Sequence, residues 1–172
     1  DIDGNEEHRD GTVSVFNGPP PLVYAAANED AESDRVAEWL LARVNENIAP
    51  SEIAIFGRTE SQLARARDAI RKASDISGRG LGGIRLATMH AAKGLEFRCV
   101  CVIACDDNII PLEERIRAIG DHADLEDLYN TERHLLYVAC TRARDRLLIT
   151  GVDPVSEFLD DLSREGSIKS IT

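Results

Sequence analysis

The sequence IRLATMHAAKGLEFRCVCVI, residues 84–103, contains two strand-like runs separated by a short polar segment. Ile84 and Leu86 belong to the first run, and the second run, 99–103, is apolar throughout. The segment between them, 88–94, has small or polar side chains and ends in glycine. This pattern predicts a strand that leads into a loop with three reactive side chains: Thr88, His90 and Lys93.

A loop at the carboxyl end of such a strand is a candidate ligand site. In open α/β sheets, ligands bind beyond the carboxyl ends of the strands, where a rigid sheet holds the side chains of the loops. For any one of these side chains alone, an ordinary surface position is the simpler interpretation. Their concentration on one turn favours a functional site.

The length and composition indicate one folded domain. The chain has 172 residues and an apolar content of 43%, which is enough for a single core. No apolar run reaches the roughly 18 to 20 residues of a membrane span, and no basic-then-apolar signal begins the sequence. We therefore expect a cytoplasmic protein without a membrane partner.

The net charge and its distribution along the chain bear on whether the protein binds nucleic acid. The formal net charge is −11, whereas proteins that bind nucleic acids usually present a basic face. Acidic residues are concentrated at both ends of the chain, and arginines cluster at Arg142, Arg144 and Arg146. A locally basic groove is compatible with this pattern.

The four cysteines lack the paired C-x-x-C spacing of a zinc site. Cys99 and Cys101 alternate along a strand that has the composition of a buried one. We expect reduced thiols in the core at all four positions: Cys99, Cys101, Cys105 and Cys140.

Helical and strand-like segments alternate along the chain. Apolar residues recur at helical spacing over 30–48, and a second helix follows a strand at 53–56. A long helix is predicted to begin with Asp124 as its N-cap and to end near Thr141, before a strand at 147–150. The other predicted segments are an edge strand over 12–16, an extended segment over 22–27, a glycine-rich link over 77–83, an irregular segment over 106–120 and a terminal helix over 154–162.

Strands that alternate with helices predict an α/β fold. In such folds a mostly parallel sheet is covered by helices on both faces. We expect the domain to extend over 22–165, with a flexible or truncated leader over 1–21 and a tail over 166–172.

Arg142 lies at the predicted junction between the long helix and the last strand. A planar, permanently charged guanidinium in such a place can neutralise the charge of a transferring phosphoryl group. A solvated patch of arginine and aspartate is the simpler interpretation of the segment TRARDR taken alone. The sequence contains no G-x-x-x-x-G-K-[ST] loop, which excludes a complete P-loop enzyme.

Three segments together resemble those of a known enzyme family. Residues 88–97, TMHAAKGLEF, resemble motif V of superfamily 1 helicases of the UvrD/Rep/PcrA type, and residues 132–143, ERHLLYVACTRA, resemble their motif VI. The segment 53–59, IAIFGRT, is similar to the family strand that precedes a DNA-contacting turn. The resemblance extends from about residue 22 to residue 152, with the motifs in the family order.

The resemblance implies a RecA-like three-layer αβα sandwich, a P-loop NTPase-like fold without a Walker A loop. It implies the C-terminal motor lobe of an ATP-dependent 3′-to-5′ DNA helicase. Such a lobe would bind single-stranded DNA and face an N-terminal RecA-like lobe of the same polypeptide, which would hold most of the ATP and Mg²⁺. The fragment would be inactive alone.

The resemblance also implies roles for single residues. Arg142 would be an arginine finger for the γ-phosphate of ATP, while Glu96 and Gly94 would lie near the nucleotide. The implied contacts with single-stranded DNA are Thr88, His90, Arg58, Thr59 and Lys93.

Three features differ from the family pattern. Glu60 stands where the family has asparagine, and the glycine-rich link replaces a large inserted domain. The family's adenine-stacking motif does not precede the matching region. These differences, with the missing first lobe, indicate a fragment.

Two other functions are compatible with parts of the sequence. One is a non-motor RecA-like adaptor that binds a protein partner through its acidic surface. The other, a metal nuclease, has little support because no partner motif accompanies its candidate ligands: Asp106, Asp107, Glu113 and Glu114.

Overall fold

A computed structural model of the chain describes residues 18–119, 122–160 and 169–171. The strands within these residues are β1 (Leu22–Ala26), β2 (Ile53–Gly57), β3 (Arg85–Thr88), β4 (Phe97–Val102), β5 (Ala143–Val152) and β6 (Lys169–Ile171). They form one sheet in the order β3-β2-β4-β5-β1-β6, with parallel neighbours throughout.

The helices connect these parallel strands. They are α1 (Glu29–Asn45), α2 (Leu63–Ser77), α3 (Glu113–Arg117) and α4 (His122–Cys140), with short 3₁₀ helices at Pro50–Glu52 and Met89–Ala92. The Asn28 side chain caps α1 by accepting a hydrogen bond from the Ala31 N–H at 2.9 Å.

Two apolar cores lie on opposite faces of the sheet. Alternate residues of one strand point to opposite faces, so β2 directs Ile53 and Ile55 toward α1 and α2, and Ala54 and Phe56 toward α4. The same alternation continues in β4 and β5. The α/β fold with three layers is therefore confirmed.

The sequence predicted β5 four residues too short at its amino end. Phe97 is paired with Ala143 and Cys99 with Arg146, so the charged segment 143–146 belongs to the strand. The carboxylate of Asp145 accepts hydrogen bonds from Arg144 and from Arg98, each at 2.9 Å. These two arginines lower the pKa of Asp145 to about 2. Mutual pairing therefore lets charged residues occupy a strand, against their usual propensity.

Other element boundaries also differ from the predictions. Helix α4 begins at His122, so Asp124 lies in its first turn and is not the N-cap. The predicted loop after β3 contains the 3₁₀ helix Met89–Ala92, and the irregular segment 106–120 contains α3. Helical structure begins only at residue 158 in the predicted terminal helix.

The structure describes part of the predicted tail but little of the predicted leader. Part of the predicted tail is strand β6, which pairs with β1, so 169–171 belongs to the sheet. The edge strand predicted over 12–16 and most of the predicted leader lie outside the described residues.

The glycine-rich link joins α2 to β3 at the surface. An added Cβ at Gly80 or Gly82 would meet no atom within 4 Å. The segment 78–83 also matches the spacing G-x-G-x-x-G. A dinucleotide-binding loop follows a strand and opens a helix, whereas this segment follows a helix and precedes a strand, so the match is coincidental.

All four cysteines are free and buried, as predicted. Burial raises the pKa of Cys99 to about 11 and that of Cys140 to about 12. Within the described ranges, no helix has the length and apolarity that a bilayer-spanning segment requires.

Candidate functional site

The segment 88–97 runs from the carboxyl ends of the parallel strands to their amino ends. We call the first side the carboxyl edge of the sheet and the second the amino edge. Thr88 ends β3 beside Gly57, and Phe97 begins β4 beside Ala143. Because the strands are parallel and rise about 3.3 Å per residue, the two ends of this crossover lie roughly 20 Å apart along the strand direction. The candidate residues therefore form two groups on opposite edges.

Buried residues hold the crossover in place. Met89 and Ala92 are 1% and 0% exposed, and they belong to the same apolar core as Leu136 and Ala139 of α4. His90 and Lys93 are exposed on the same short segment. The 3₁₀ helix thus presents polar side chains while its apolar side anchors it to α4.

The amino-edge group consists of Gly94, Glu96 and Arg142. The Arg142 guanidinium donates to the Val138 carbonyl at 3.0 Å, the Leu95 carbonyl at 3.2 Å and the Thr141 hydroxyl at 3.1 Å. The Arg142 carbonyl accepts from the Phe97 N–H at 2.9 Å. Arg142 therefore contacts both sequence neighbours of Glu96.

The charge of Arg142 has no acidic partner among the described residues. Its contacts are neutral carbonyl and hydroxyl oxygens, which orient the half-buried guanidinium. These bonds engage three of the five N–H donors that an arginine carries. The arrangement fixes a cation at the protein surface while leaving its charge available to an incoming anion.

Gly94 and Glu96 complete the amino-edge group. Gly94 has a φ of +77°, a conformation that L side chains rarely adopt. It lets the chain turn after Ala92, whose carbonyl accepts from the Leu95 N–H at 3.2 Å. The Glu96 side chain is exposed next to this turn.

The carboxyl-edge group contains Thr59, Thr88 and His90. Strands β2 and β3 are neighbours, so Thr88 and the turn after Gly57 lie on the same edge. The Thr59 N–H donates to the Gln62 side-chain oxygen at 3.1 Å, and the Thr59 hydroxyl bonds with Ser61 at 2.8 Å. These bonds make the turn a compact unit beside His90.

Arg58 does not belong to this exposed group. It is 4% exposed, and its Nε and Nη2 donate to the two carboxylate oxygens of Glu132, each at 2.6 Å. A buried guanidinium requires a paired charge in the low-dielectric interior. The geometry therefore contradicts the predicted DNA contact for Arg58 and makes it an internal anchor of the turn.

Comparisons with known proteins agree with the order of these elements. The family model for the UvrD-like helicase C-terminal domain matches residues 67–153, half of the 172-residue chain. The chain belongs to this family. The match includes the crossover, α4 and the whole of β5, and therefore both segments that resemble helicase motifs.

Curated relatives of this helicase C-terminal domain are far longer than the chain. The ATP-dependent DNA helicase UvrD1 of Mycobacterium tuberculosis is 34% identical over 107 residues, which cover 56% of this chain and 13% of that protein. The ATP-dependent DNA helicase PcrA of Leuconostoc citreum is 46% identical over 71 residues, covering 41% of this chain and 8% of that protein. The chain thus spans only about a tenth of the length of these relatives.

A solved structure supports the fold of the helicase C-terminal domain. The C-terminal domain of a possible DNA helicase from Lactobacillus plantarum superposes with a TM-score of 0.59. The alignment covers 91% of this chain and 90% of that one, at 22% identity. At this identity the likeness concerns the fold alone.

Sequence reasoning missed one charged residue of the helicase C-terminal domain, Glu132. It is 1% exposed and also accepts a hydrogen bond from Arg115 at 2.7 Å. Burial by itself raises the pKa of Glu132, but the bonds and charges of Arg58 and Arg115 outweigh it and leave the pKa below its ordinary value. The available signal was spacing, since Leu128, Glu132 and Leu136 recur every four residues on the buried side of α4.

A second buried carboxylate of this domain, Glu32, lies on the opposite face of the sheet. Glu32 is 0% exposed and accepts from the Ala104 N–H and from Arg65, each at 2.9 Å. Arg65 also donates to Asp106 at 2.8 and 3.1 Å, and Asp106 accepts from the Val152 N–H at 2.7 Å. Asp106 is thus engaged internally, and no group of possible metal ligands occurs among the described residues.

Proposed function

We propose that this domain is the C-terminal motor lobe of an ATP-dependent 3′-to-5′ DNA helicase or translocase. ATP would lie against the amino edge of the sheet, and single-stranded DNA would cross the carboxyl edge. The N-terminal RecA-like lobe of the same polypeptide would hold most of the ATP and its Mg²⁺. Membership of the helicase family and the geometry of Arg142 support this proposal.

The observation that carries the proposal is the unpaired charge of Arg142. Neutral oxygens of Leu95, Val138 and Thr141 orient its guanidinium, and no described carboxylate forms an ion pair with it. A cation fixed in this way suits a polyphosphate, whose charge grows on the outer oxygens during phosphoryl transfer. Arg142 would stabilise that charge, while Glu96 and Gly94 would line the nucleotide site.

The carboxyl edge suits the backbone of a single strand. Thr88 offers a hydroxyl donor, and the exposed His90 and Lys93 of the same segment offer nitrogen donors. The hydroxyl of Thr59 donates to the Gln62 side-chain oxygen, so Thr59 would contribute through the shape of its turn. Contacts of this kind bind phosphates and sugars without selecting a sequence. These side chains carry little positive charge in total, which is consistent with a domain that shares the binding of DNA with another lobe.

The test is turnover by the full-length protein with single-stranded DNA present. Arg142→Ala should lower kcat by roughly 10³-fold or more, with little change in the ATP concentration at half-saturation. Arg79→Ala, in the exposed link, is the matched control and should leave both parameters unchanged. Normal turnover in Arg142→Ala would remove this residue from the ATP site.

A measurement of DNA binding distinguishes the proposed motor lobe from a non-motor adaptor. Fluorescence anisotropy of labelled poly(dT) should show binding by the full-length protein that weakens as salt rises, because phosphate contacts release counterions. His90→Ala should weaken this binding. Absent or salt-insensitive binding would favour the non-motor adaptor that recognises a protein partner.

A further inference from the structure

The two proposed sites lie on opposite edges, and α4 is the element that joins them. Glu132 meets Arg58 at the carboxyl edge, and the helix then runs to Cys140, two residues before Arg142 at the amino edge. The eight residue steps of helix from Glu132 to Cys140 extend about 12 Å. One rigid helix therefore separates the proposed DNA-binding turn from the proposed arginine finger.

We propose that Glu132 is a positioning residue that transmits the position of the DNA-binding turn to Arg142. This inference rests on the proposed motor function. Both carboxylate oxygens of Glu132 bind Arg58 at 2.6 Å, and one of them also binds Arg115 at 2.7 Å. Bidentate, charge-assisted bonds are strong and strongly directional. They fix α4 against β2 in one register.

Arg58 connects this ion pair to the DNA-binding turn. Thr59 follows it directly and is bonded to Gln62 within the same turn. Gly57, on the other side of Arg58, is the neighbour of Thr88 in the sheet. A shift of the carboxyl edge on binding DNA therefore displaces the Arg58 guanidinium, and the carboxylate of Glu132 moves with it.

The apolar contacts between α4 and the crossover are less specific. Met89 and Ala92 pack in the same core as Leu136 and Ala139, and apolar packing is non-directional. These contacts hold the helix on the sheet, while the hydrogen bonds of Arg142 with Leu95 and Phe97 fix the segment after its carboxyl end. The ion pair of Glu132 is the directional contact that ties the helix to the DNA-binding turn.

The other buried carboxylate provides a matched control. Glu32 is as buried as Glu132 and also binds an arginine. Its side-chain partner, Arg65, belongs to α2 on the opposite face. Its other partner is the main-chain N–H of Ala104 after β4, and among the described residues no hydrogen bond of Glu32 reaches α4 or the crossover. Replacing Glu32 thus tests the effect of a lost buried charge without changing the anchor of Arg142.

The decisive experiment compares Glu132→Gln with Glu32→Gln in the full-length protein. ATP turnover is measured with and without poly(dT). We expect Glu132→Gln to lower the DNA-stimulated kcat by roughly 10- to 100-fold, as small misplacements of catalytic groups do, while the ATP KM and the DNA affinity change less than about twofold. Glu32→Gln should lower the melting temperature but keep the stimulated kcat within about twofold of wild type.

A second variant covers the case in which Glu132→Gln fails to fold. Arg58→Leu/Glu132→Leu replaces the ion pair with apolar side chains, a change that buried pairs often tolerate. This variant should melt near the wild-type temperature yet lose DNA stimulation. Full stimulation in either folded variant would overturn the role of Glu132 and leave the motor proposal intact, whereas a wild-type protein without stimulated turnover would overturn both.

Discussion

Glu132 keeps a negative charge inside the domain because two arginines reach it from different elements. Arg58 comes from the end of β2 and Arg115 from α3. Burial disfavours the charged carboxylate, but the net pKa still lies below its ordinary value. The paired state therefore stabilises the folded chain relative to the unfolded one.

The lowered pKa of Glu132 predicts a specific pH dependence. The stabilisation is fully present above the ordinary pKa of 4.5 and is lost as the pH falls through the folded-state pKa. The difference in unfolding free energy between wild type and Glu132→Gln should therefore hold from about pH 7 to about pH 5.5 and shrink as the pH falls below 4.5. Urea titrations followed by the fluorescence of Trp39, the single tryptophan, measure this difference. A difference that stays constant or widens would contradict the assignment.

Among the elements, β5 approaches the segment after β4 closely at Gly151. Gly151 lies against the chain that leaves β4, where the Cys105 N–H donates to the Thr150 carbonyl at 2.9 Å. A Cβ at Gly151 would lie 2.7 Å from both the carbonyl carbon and the oxygen of Cys105. The absence of a side chain at this position therefore allows the two segments to approach.

Gly151→Ala should destabilise the domain because the clash involves backbone atoms that cannot rotate away. We expect a loss of about 2 kcal/mol, within the range of overpacked interiors. Gly82→Ala is the control, since its new methyl group would meet nothing within 4 Å, and it should change stability by less than about 0.5 kcal/mol. Urea denaturation of both variants tests the comparison. Equal stability of the two would show that the segment after β4 yields to the methyl group.

The strongly periodic elements could be predicted from the sequence, and the charged ones could not. Val36, Leu40 and Val44 recur at helical spacing, so α1 was found within a few residues of its ends. The start of β5 cannot be predicted in this way, because Asp145 pairs with its neighbour Arg144 and with Arg98 of the adjacent strand, and no periodicity reveals such pairing.

The candidate site, too, could be predicted from the sequence only in part. The resemblance to helicase motifs pointed to Arg142 and Glu96, and the structure shows Arg142 hydrogen-bonded to Leu95 and Phe97, the residues on either side of Glu96. It did not separate the buried Arg58 from the exposed residues of the same predicted group, because burial beside Glu132 depends on two segments 74 residues apart. Spacing within a single segment carries no information about such long-range pairing.

Considered as a whole molecule, the domain buries its four thiols and exposes polar side chains at both edges of the sheet. All four thiols are buried, and burial keeps the pKa of Cys99 at about 11 and that of Cys140 at about 12. Because the thiolate is the reactive form, little of it exists near neutral pH. The thiols therefore take no part in the chemistry that we propose for the two edges of the sheet.

The protection of the thiols can be measured on the native chain. An aromatic disulfide reagent at about pH 8 should leave the folded protein essentially unlabelled. The same reagent in concentrated urea should titrate four thiols, the number in the sequence. Rapid labelling of any thiol under native conditions would indicate that the sheet opens locally.

The surface link between α2 and β3 has an evolutionary consequence. Gly80 and Gly82 face open space, and the entropy of closing a loop rises only slowly with its length. Extra sequence at this one joint, from a short peptide to an accessory module, leaves the strand order and both edges of the sheet undisturbed. A domain built in this way gains or sheds an appendage by a single local event, so lineages with and without one can share the same sheet and crossover.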